Sequence, residues 1–365
     1  VLGQLLNSPR KRLVALVLGL AVIGVGAAVA LSGGEGDVEV AAPTTTTTAP
    51  TTTTSAPGAG PLAPLTGLPG NYGKRLERPA LVVKIDNDNN KARPQVGLNE
   101  ADIVYEERVE GSVTRLLAVF HSRDSVPVGP VRSARTSDIA IVSALRHPYF
   151  AWSGANPTFA QRIRAADLMD VGYDTLTSEY FREPSRRAPS NLMLKNTSTI
   201  KGIPNEGGSP PPPLFAFRTG DQPVPNLTPA EGARVTFGGS AGAAPTEWRW
   251  NGKGWARSQA GTPHVDAAGV QVAPANVVIQ FVNYAPTDVA DQFGVRIPEA
   301  QMLGTGEVWV LTGGGSQPHG VVKGKWWKPH LGSVTRYLNE DGTQMRLTRG
   351  TTWVVLPNPG GATLL

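Results

Sequence analysis

Nineteen consecutive uncharged positions, Leu13 to Leu31, interrupt an otherwise mixed pattern of apolar and polar residues. At a rise of about 1.5 Å per residue, such a run makes a helix long enough to cross a hydrocarbon core about 30 Å thick. Arg10, Lys11 and Arg12 precede it and Glu35, Asp37 and Glu39 follow. The positive-inside rule then leaves residues 1–12 in the cytoplasm and everything after Leu31 outside. Ala28-Val29-Ala30 also has the small-x-small form that a signal peptidase accepts, so a retained anchor and a cleaved signal both stand as readings. In either case the body is extracytoplasmic.

Beyond the apolar run, Ala41 to Pro64 consists almost entirely of Thr, Pro, Ala, Gly and Ser. Such a segment has nothing to bury, so residues 32–64 read as a disordered Thr/Pro stalk. The body follows. Ala80–Asp86, Ala101–Val109 and Val113–Ser122 alternate, or run apolar, in the manner of strands. Ser133–Arg146 and Thr158–Leu168 carry helical spacing, the second after Asn156-Pro157, and Tyr149–Ser153 fits a returning strand between them. The expectation for 65–205 is therefore a mixed α/β layered domain.

An irregular stretch, Pro204 to Pro229, with prolines at 210–213, predicts a linker over 206–232. After it come only short strand candidates: Thr246–Trp250, Gly254–Arg257, Asn276–Tyr284, Gly306–Leu311, Gly320–Trp327, Ser333–Tyr337, Gln344–Leu347 and Thr351–Leu356. Asn339-Glu340-Asp341-Gly342 is a hairpin turn signal, because Asp-Gly accepts the positive φ of a tight connection. Residues 233–365 thus read as a smaller all-β domain, and the whole as α+β.

Composition narrows the chemistry. The chain has 365 residues and no cysteine, which excludes disulfides, thiolate zinc sites, iron–sulfur clusters and cysteine nucleophiles. The net charge of +5 comes from 34 Lys and Arg against 29 Asp and Glu, without a dense basic run beyond the first dozen residues, so a nucleic-acid partner is not expected. The richness in Arg, Ala, Gly and Pro fits a high-GC bacterial genome.

Three groups of residues carry candidate chemistry. Gly129-Pro130-Val131-Arg132-Ser133-Ala134-Arg135 leads into a predicted helix, and guanidinium forks with free N–H groups suit phosphate or carboxylate oxygens. An anion site and an internal salt-bridge network with Glu106, Glu107, Glu110 or Asp138 both fit that segment. Asp86, Asp102, Glu106 and Glu110 form an acidic set, three of them at even spacing on one expected strand face, and can supply acid/base groups or hold a divalent cation such as Mg²⁺ or Ca²⁺. The loop from Arg182 to Asn191 brings Arg182, Arg186 and Arg187 together and can close over an anion held at Arg132 and Arg135. Arg93, Arg115, Arg187 and Asn191 complete the anion-binding candidates. Seven of the eight tryptophans fall after residue 245, as core or as a glycan-stacking surface, and Lys323, Lys325 and Lys328 beside Trp326 and Trp327 form a basic aromatic patch suited to wall polymer.

These motifs carry a resemblance. Lys84-Ile85-Asp86-Asn87, Ala92 to Leu98, Ala101 to Glu106 with Glu110-Gly111 and Thr114-Arg115, Gly129 to Arg135 and Ala188 to Leu192 resemble the YerB-like family of bacterial envelope lipoproteins, a two-part domain of unknown function. Arg257, Gly261 to Asp266, Ala275 to Val278, Gly324 to Lys328 and Gly350 to Trp353 match its second part. The resemblance implies extracytoplasmic attachment and a two-part layout but no reaction. The chain departs from it in lacking a cysteine for lipidation and in having Ser190 and Met193 around Asn191.

The reading that follows is an envelope protein, held to the membrane by its N-terminal helix, that binds an anionic ligand such as wall polymer, or an envelope protein partner. The alternative is an envelope hydrolase or transferase acting on a phosphate-containing or glycan substrate. A purely structural role predicts instead that the arginines and carboxylates pair with one another.

Overall fold

The computed structural model describes residues 60–365 apart from 89–90, 112, 220, 239–242, 292–293 and 316. The expected transmembrane helix and most of the expected stalk lie outside the described residues. Among the described residues no helix is long and apolar enough to cross a membrane. The last stalk residues belong to the body: Leu62 bridges Pro69, and Ala63 is fully buried.

A long mixed sheet organises the body. Its strands lie in the order Arg336–Asn339, Gln317–Lys328, Gly304–Gly314, Asn276–Gln280, Thr352–Leu356, Ile103–Arg108, Thr114–Phe120, Leu81–Asp86, Tyr149–Ala151 and Met169–Asp170. The strands expected at 80–86, 101–109 and 113–122 form within a few residues of those bounds, and a purely buried run such as Leu81-Val82-Val83 is what a central strand requires. The helix expected over 133–146 is shorter, Ser137–Val142 followed by a 3₁₀ turn to Leu145, because residues 130–134 are held in irregular backbone pairings to Lys84, Asp86, Gly154 and Leu192. The second helix, Pro157–Arg164, starts at Asn156, whose side chain accepts from the Thr158 N–H.

The two halves of the body share this sheet. Ile103–Arg108 pairs in parallel with Thr352–Leu356, register Ile103 to Thr352 through Glu107 to Leu356, so N-terminal and C-terminal strands are hydrogen-bonded neighbours. The second half is all-β, as its short strands predict, but five of those strands extend the first half's sheet. Five others, Thr262–Pro263, Trp255–Gln259, Thr246–Trp250, Gly232–Val235 and Ala362–Leu364, form a separate sheet in that order.

The helices and the second sheet lie on opposite faces of the long sheet. Val82, Ile103, Tyr105, Leu117 and Val119 share a core with Ile141, Val142 and Ile163 from the helices. Leu81, Val83, Val104, Leu116 and Ala118 share another with Trp248, Trp255 and Trp353. The period-two side-chain alternation of a strand is what sends neighbouring residues into different layers.

The Pro-rich stretch is not a free linker. Leu214 and Phe215 are buried in the first core, and Ala216–Arg218 pairs in parallel with Arg346–Thr348. Expected at 339–342, the hairpin turn forms there, with Gly342 at φ +82° donating to the Asn339 carbonyl at 2.9 Å. Trp248, Trp255, Trp326 and Trp353 are buried, so most of the tryptophan enrichment is core, and Lys328 is buried with them while Trp327 stays exposed.

Candidate functional site

Leu81–Asp86, Ile103–Arg108 and Thr352–Leu356 run in the same direction, and the candidate residues gather where the first two end. Asp86 and Glu107 both stand opposite Arg115 in the sheet register, at the start of Thr114–Phe120. The segment from Gly129 to Arg135 crosses this edge. Pro130 O accepts from Asp86 N at 2.9 Å, and Lys84 O accepts from Arg132 N at 2.9 Å. Gly129 is obligatory here: its φ is +155°, and a Cβ would sit 2.8 Å from the Met193 sulfur.

The structure brings Arg115, Arg132, Ser133, Arg135, Asp86 and Glu110 together. Arg135 forks onto Glu110, with Nε to Oε2 at 2.8 Å and Nη2 to Oε1. Arg115 Nη2 lies 3.6 Å from the same Glu110 carboxylate, and its Nη1 donates to the Ser133 carbonyl at 3.0 Å. Arg132 Nε pairs with Asp86 Oδ2 at 3.2 Å. Burial alone would raise the Glu110 carboxyl, but the Arg135 hydrogen bonds and the charges of Arg135 and Arg115 hold it down at about 2. Burial, with Arg135 close by, lowers the Arg115 guanidinium to about 10.

Behind this cluster lies a second ion group with no solvent contact. Lys84 Nζ donates to Glu107 Oε1 at 2.5 Å and to Asp138 Oδ1 at 2.7 Å, and all three side chains are fully buried. Asp138 Oδ2 also accepts from the Arg135 N–H at 2.8 Å, which ties the two groups into one network. Burial pushes the Asp138 carboxyl up to about 7 against the pull of Lys84, with Glu107 adding to the rise. Across the network, Lys84, Arg115, Arg132 and Arg135 face Asp86, Glu107, Glu110 and Asp138, so the formal charges balance.

Glu106 is elsewhere. Its side chain points to the opposite face, where Nη2 of Arg257 from the second sheet donates to both of its carboxylate oxygens at 2.8 and 2.9 Å, both side chains fully buried. Thr114 and Asn87 also donate to it. Arg257 Nη1 meets His264 Nδ1, and His264 Nε2 faces Gln95 Oε1 at 2.7 Å. The guanidinium donates, so Nδ1 accepts and the ring is neutral with its proton on Nε2. Burial, reinforced by Arg257, lowers the His264 pKa well below the usual imidazole range. Gln95 then donates to Asp86 O and Asn87 Oδ1, both at 3.0 Å, so a histidine of the second half holds the turn that carries Arg93.

The acidic set therefore does not share a face or a pocket. Asp102 precedes its strand and accepts from His121 N, Ser122 N and Ser122 Oγ at 2.5–2.7 Å, as a buried end-cap of its own. Glu110 lies past the end of the strand, in the turn that Val109 and Val113 close with a 3.0 Å hydrogen bond. That turn carries Glu110 to the helix-layer side, while Glu106 faces the second sheet. Among the described residues no group of three or more His, Asp or Glu is placed to hold a metal ion.

The third candidate group does reach the first. Ser190 Oγ donates to Asp86 Oδ2 at 2.7 Å, the same oxygen that Arg132 meets. Arg186 donates to the carbonyls of Ala92 and Pro94, and Arg182 to Asn191 Oδ1 at 2.8 Å. The Arg182–Asn191 loop is thus seated against the turn bearing Arg93, with Arg187 exposed. Sequence patterns did not single out Arg257, Gln95 or Ser190 as partners. The visible signal was a lone charged or amide residue inside an apolar run, as for Lys84 in ALVVKID.

The comparisons with known proteins follow the same division of the chain. Residues 65–209 match the N-terminal domain, and residues 233–354 the C-terminal domain, of a family described as "Protein of unknown function (DUF3048)". The chain belongs to the DUF3048 family. It is 30% identical over 313 residues to "Putative lipoprotein YerB" of Bacillus subtilis (strain 168), covering 83% of this chain and 88% of that protein. A crystal structure of YerB from Bacillus subtilis superposes with a TM-score of 0.70 at 25% identity, covering 84% of this chain and 99% of the other. The two DUF3048 parts meet in the shared sheet between Ile103–Arg108 and Thr352–Leu356.

Proposed function

We propose that this DUF3048 protein is a membrane-tethered, extracytoplasmic binding module of the bacterial envelope. It recognises a phosphate- or carboxylate-bearing ligand at the rim made by Arg93, Arg132, Arg187 and Asn191. The observation that carries this reading is the double use of Asp86, which joins Arg132 to Ser190 and so draws the arginine loop onto the edge of the sheet. Arg115 and Arg135 are taken up by Glu110 and act as a charged support behind the rim, not as ligand contacts. With Arg182 and Arg186 of the same loop, which donate to Asn191 and to backbone carbonyls, the guanidiniums of Arg93, Arg132 and Arg187 outnumber the carboxylates of Asp86, Asp88 and Glu183, which leaves the positive field an anion needs. An apolar N-terminal segment would hold this rim outside the membrane, consistent with a relative described as a lipoprotein.

The test is a titration of the full chain with pyrophosphate and with phosphate-bearing wall-polymer fragments over a range of ionic strength. Saturable binding that weakens steeply as salt rises is expected, because a rim charge is screened within about 10 Å at 0.1 M. Absence of binding to every anion would turn the reading toward a protein partner.

A further inference from the structure

A cavity of about 490 Å³ lies in the second half, away from the arginine rim. Its walls come from three elements. The Pro-rich stretch contributes Arg218, Gln222 and Val224; the long sheet contributes Val310, Thr312 and Val322; the 339–346 hairpin contributes Asn339, Met345 and Arg346. Such a volume is that of a small-molecule pocket. The floor is apolar: Val310, Val322 and Met345 are buried, and Val224 packs against the same core.

The polar lining is one-sided. Among the described residues it includes two guanidiniums, Arg218 and Arg346, and no Asp or Glu. Arg218 is 2% exposed, and its Nη atoms donate to Gln222 O at 3.0 Å and Thr348 Oγ1 at 2.8 Å, which fix its position at the wall. Burial lowers its pKa from the ordinary arginine value without removing its charge. Arg346 is exposed at the hairpin end, with Nη1 3.4 Å from Phe217 O. An apolar floor with the exposed Arg346 guanidinium at its edge and the buried charge of Arg218 behind the wall is the arrangement that takes an amphipathic anion, its head on Arg346 and its hydrocarbon on the valines.

We propose that this cavity is a second binding site, for a small anion with an aliphatic body, independent of the arginine rim. The acidic head can be a carboxylate or a phosphate monoester. The test uses the full chain with hexanoate, hexyl phosphate and hexylamine as probes, read by isothermal titration and by saturation-transfer NMR. Binding of hexanoate or hexyl phosphate, with hexylamine inert, is expected, and the stronger of the two anions tells which head the site takes. Arg218→Gln and Arg346→Glu should each weaken the anion at least tenfold. Because Arg218 is buried and its replacement can unfold the chain, Arg346→Glu at the exposed wall is the decisive variant, with Gln344→Trp at the mouth as a second. Arg132→Gln with Arg187→Gln should leave this binding unchanged, which separates failure here from failure at the rim. The proposal is overturned if neither anion binds, if hexylamine binds as well as they do, or if binding survives both Arg346→Glu and Gln344→Trp in folded protein.

Discussion

Glu106 and Glu107 are adjacent in sequence, equally buried, and on opposite sides of the same sheet. Glu107 meets Lys84 beneath the helix layer, and Glu106 meets Arg257 beneath the second sheet. Both arrangements pair a buried carboxylate with a cation, but they join different things. The Glu107 side closes a network within the N-terminal half, where charge of one sign balances charge of the other. The Glu106 side bolts the C-terminal half onto it, through Arg257, His264 and Gln95. A buried ion pair is weak evidence of net stabilisation, yet losing one partner is costly, because the other is left charged and dry. What the comparison teaches is that the motif charges under both faces pair within the architecture, and that Arg132 is the member of these pairs most open to solvent.

The sharpest way to break the comparison is to strand Arg257. Glu106→Ala should destabilise the body by about 3–5 kcal/mol in a denaturant titration. Loss of the Asn87 and Thr114 contacts should loosen Asn87 and its partner Gln95 with it. A cost under about 1 kcal/mol would mean that the two halves do not depend on this pair.

The next effect belongs to the opposite face and has a sign in pH. Asp138 is an acid whose pKa rises on folding to about 7 from its ordinary value of 3.8. Its favourable contribution is therefore full below that ordinary value and is lost as pH rises through 7. Asp138→Asn does not titrate, so its stability relative to the parent should improve by about 2–4 kcal/mol between pH 4 and pH 8, read from paired denaturant curves. A difference that does not change with pH would contradict a carboxyl whose pKa is raised by burial.

Glu110→Gln comes third. Glu110 is an acid whose pKa falls to about 2 on folding, so its contribution is present above the ordinary glutamate range and is lost as pH falls toward 2. The variant should cost about 1–2 kcal/mol at pH 7 and almost nothing near pH 2, since it leaves Arg135 and Arg115 without their shared carboxylate.

The parts legible in the sequence were those with a local signal. Alternation marked Leu81–Asp86, Ile103–Arg108 and Thr114–Phe120, and Asp341-Gly342 marked its hairpin. What was not legible depends on distant partners. The parallel pairing of Ile103–Arg108 with Thr352–Leu356 joins strands from opposite ends of the body, and nothing in either strand announces the other. The same holds for the Pro-rich stretch, whose Leu214 and Phe215 look like linker residues until a core is built beneath them. The one-face expectation for Asp102, Glu106 and Glu110 failed because it extended a strand through 102–110, whereas the strand stops at Arg108 and the following turn redirects Glu110. The salt-bridge reading of Arg132 and Arg135 had the right kind of partner. Glu110 takes Arg135, and Asp86 takes Arg132.

The smallest expected effect on stability carries the largest functional weight. Arg132 and Arg187 sit at the solvent edge, so Arg132→Gln with Arg187→Gln should change the unfolding free energy by no more than about 1 kcal/mol. The most direct measurement is the affinity of this folded double variant, beside the parent chain, for phosphate-bearing wall-polymer fragments. A loss of at least tenfold at unchanged stability is the result predicted for a rim that binds anions over a structural ion network. Unchanged affinity in a folded variant would contradict it.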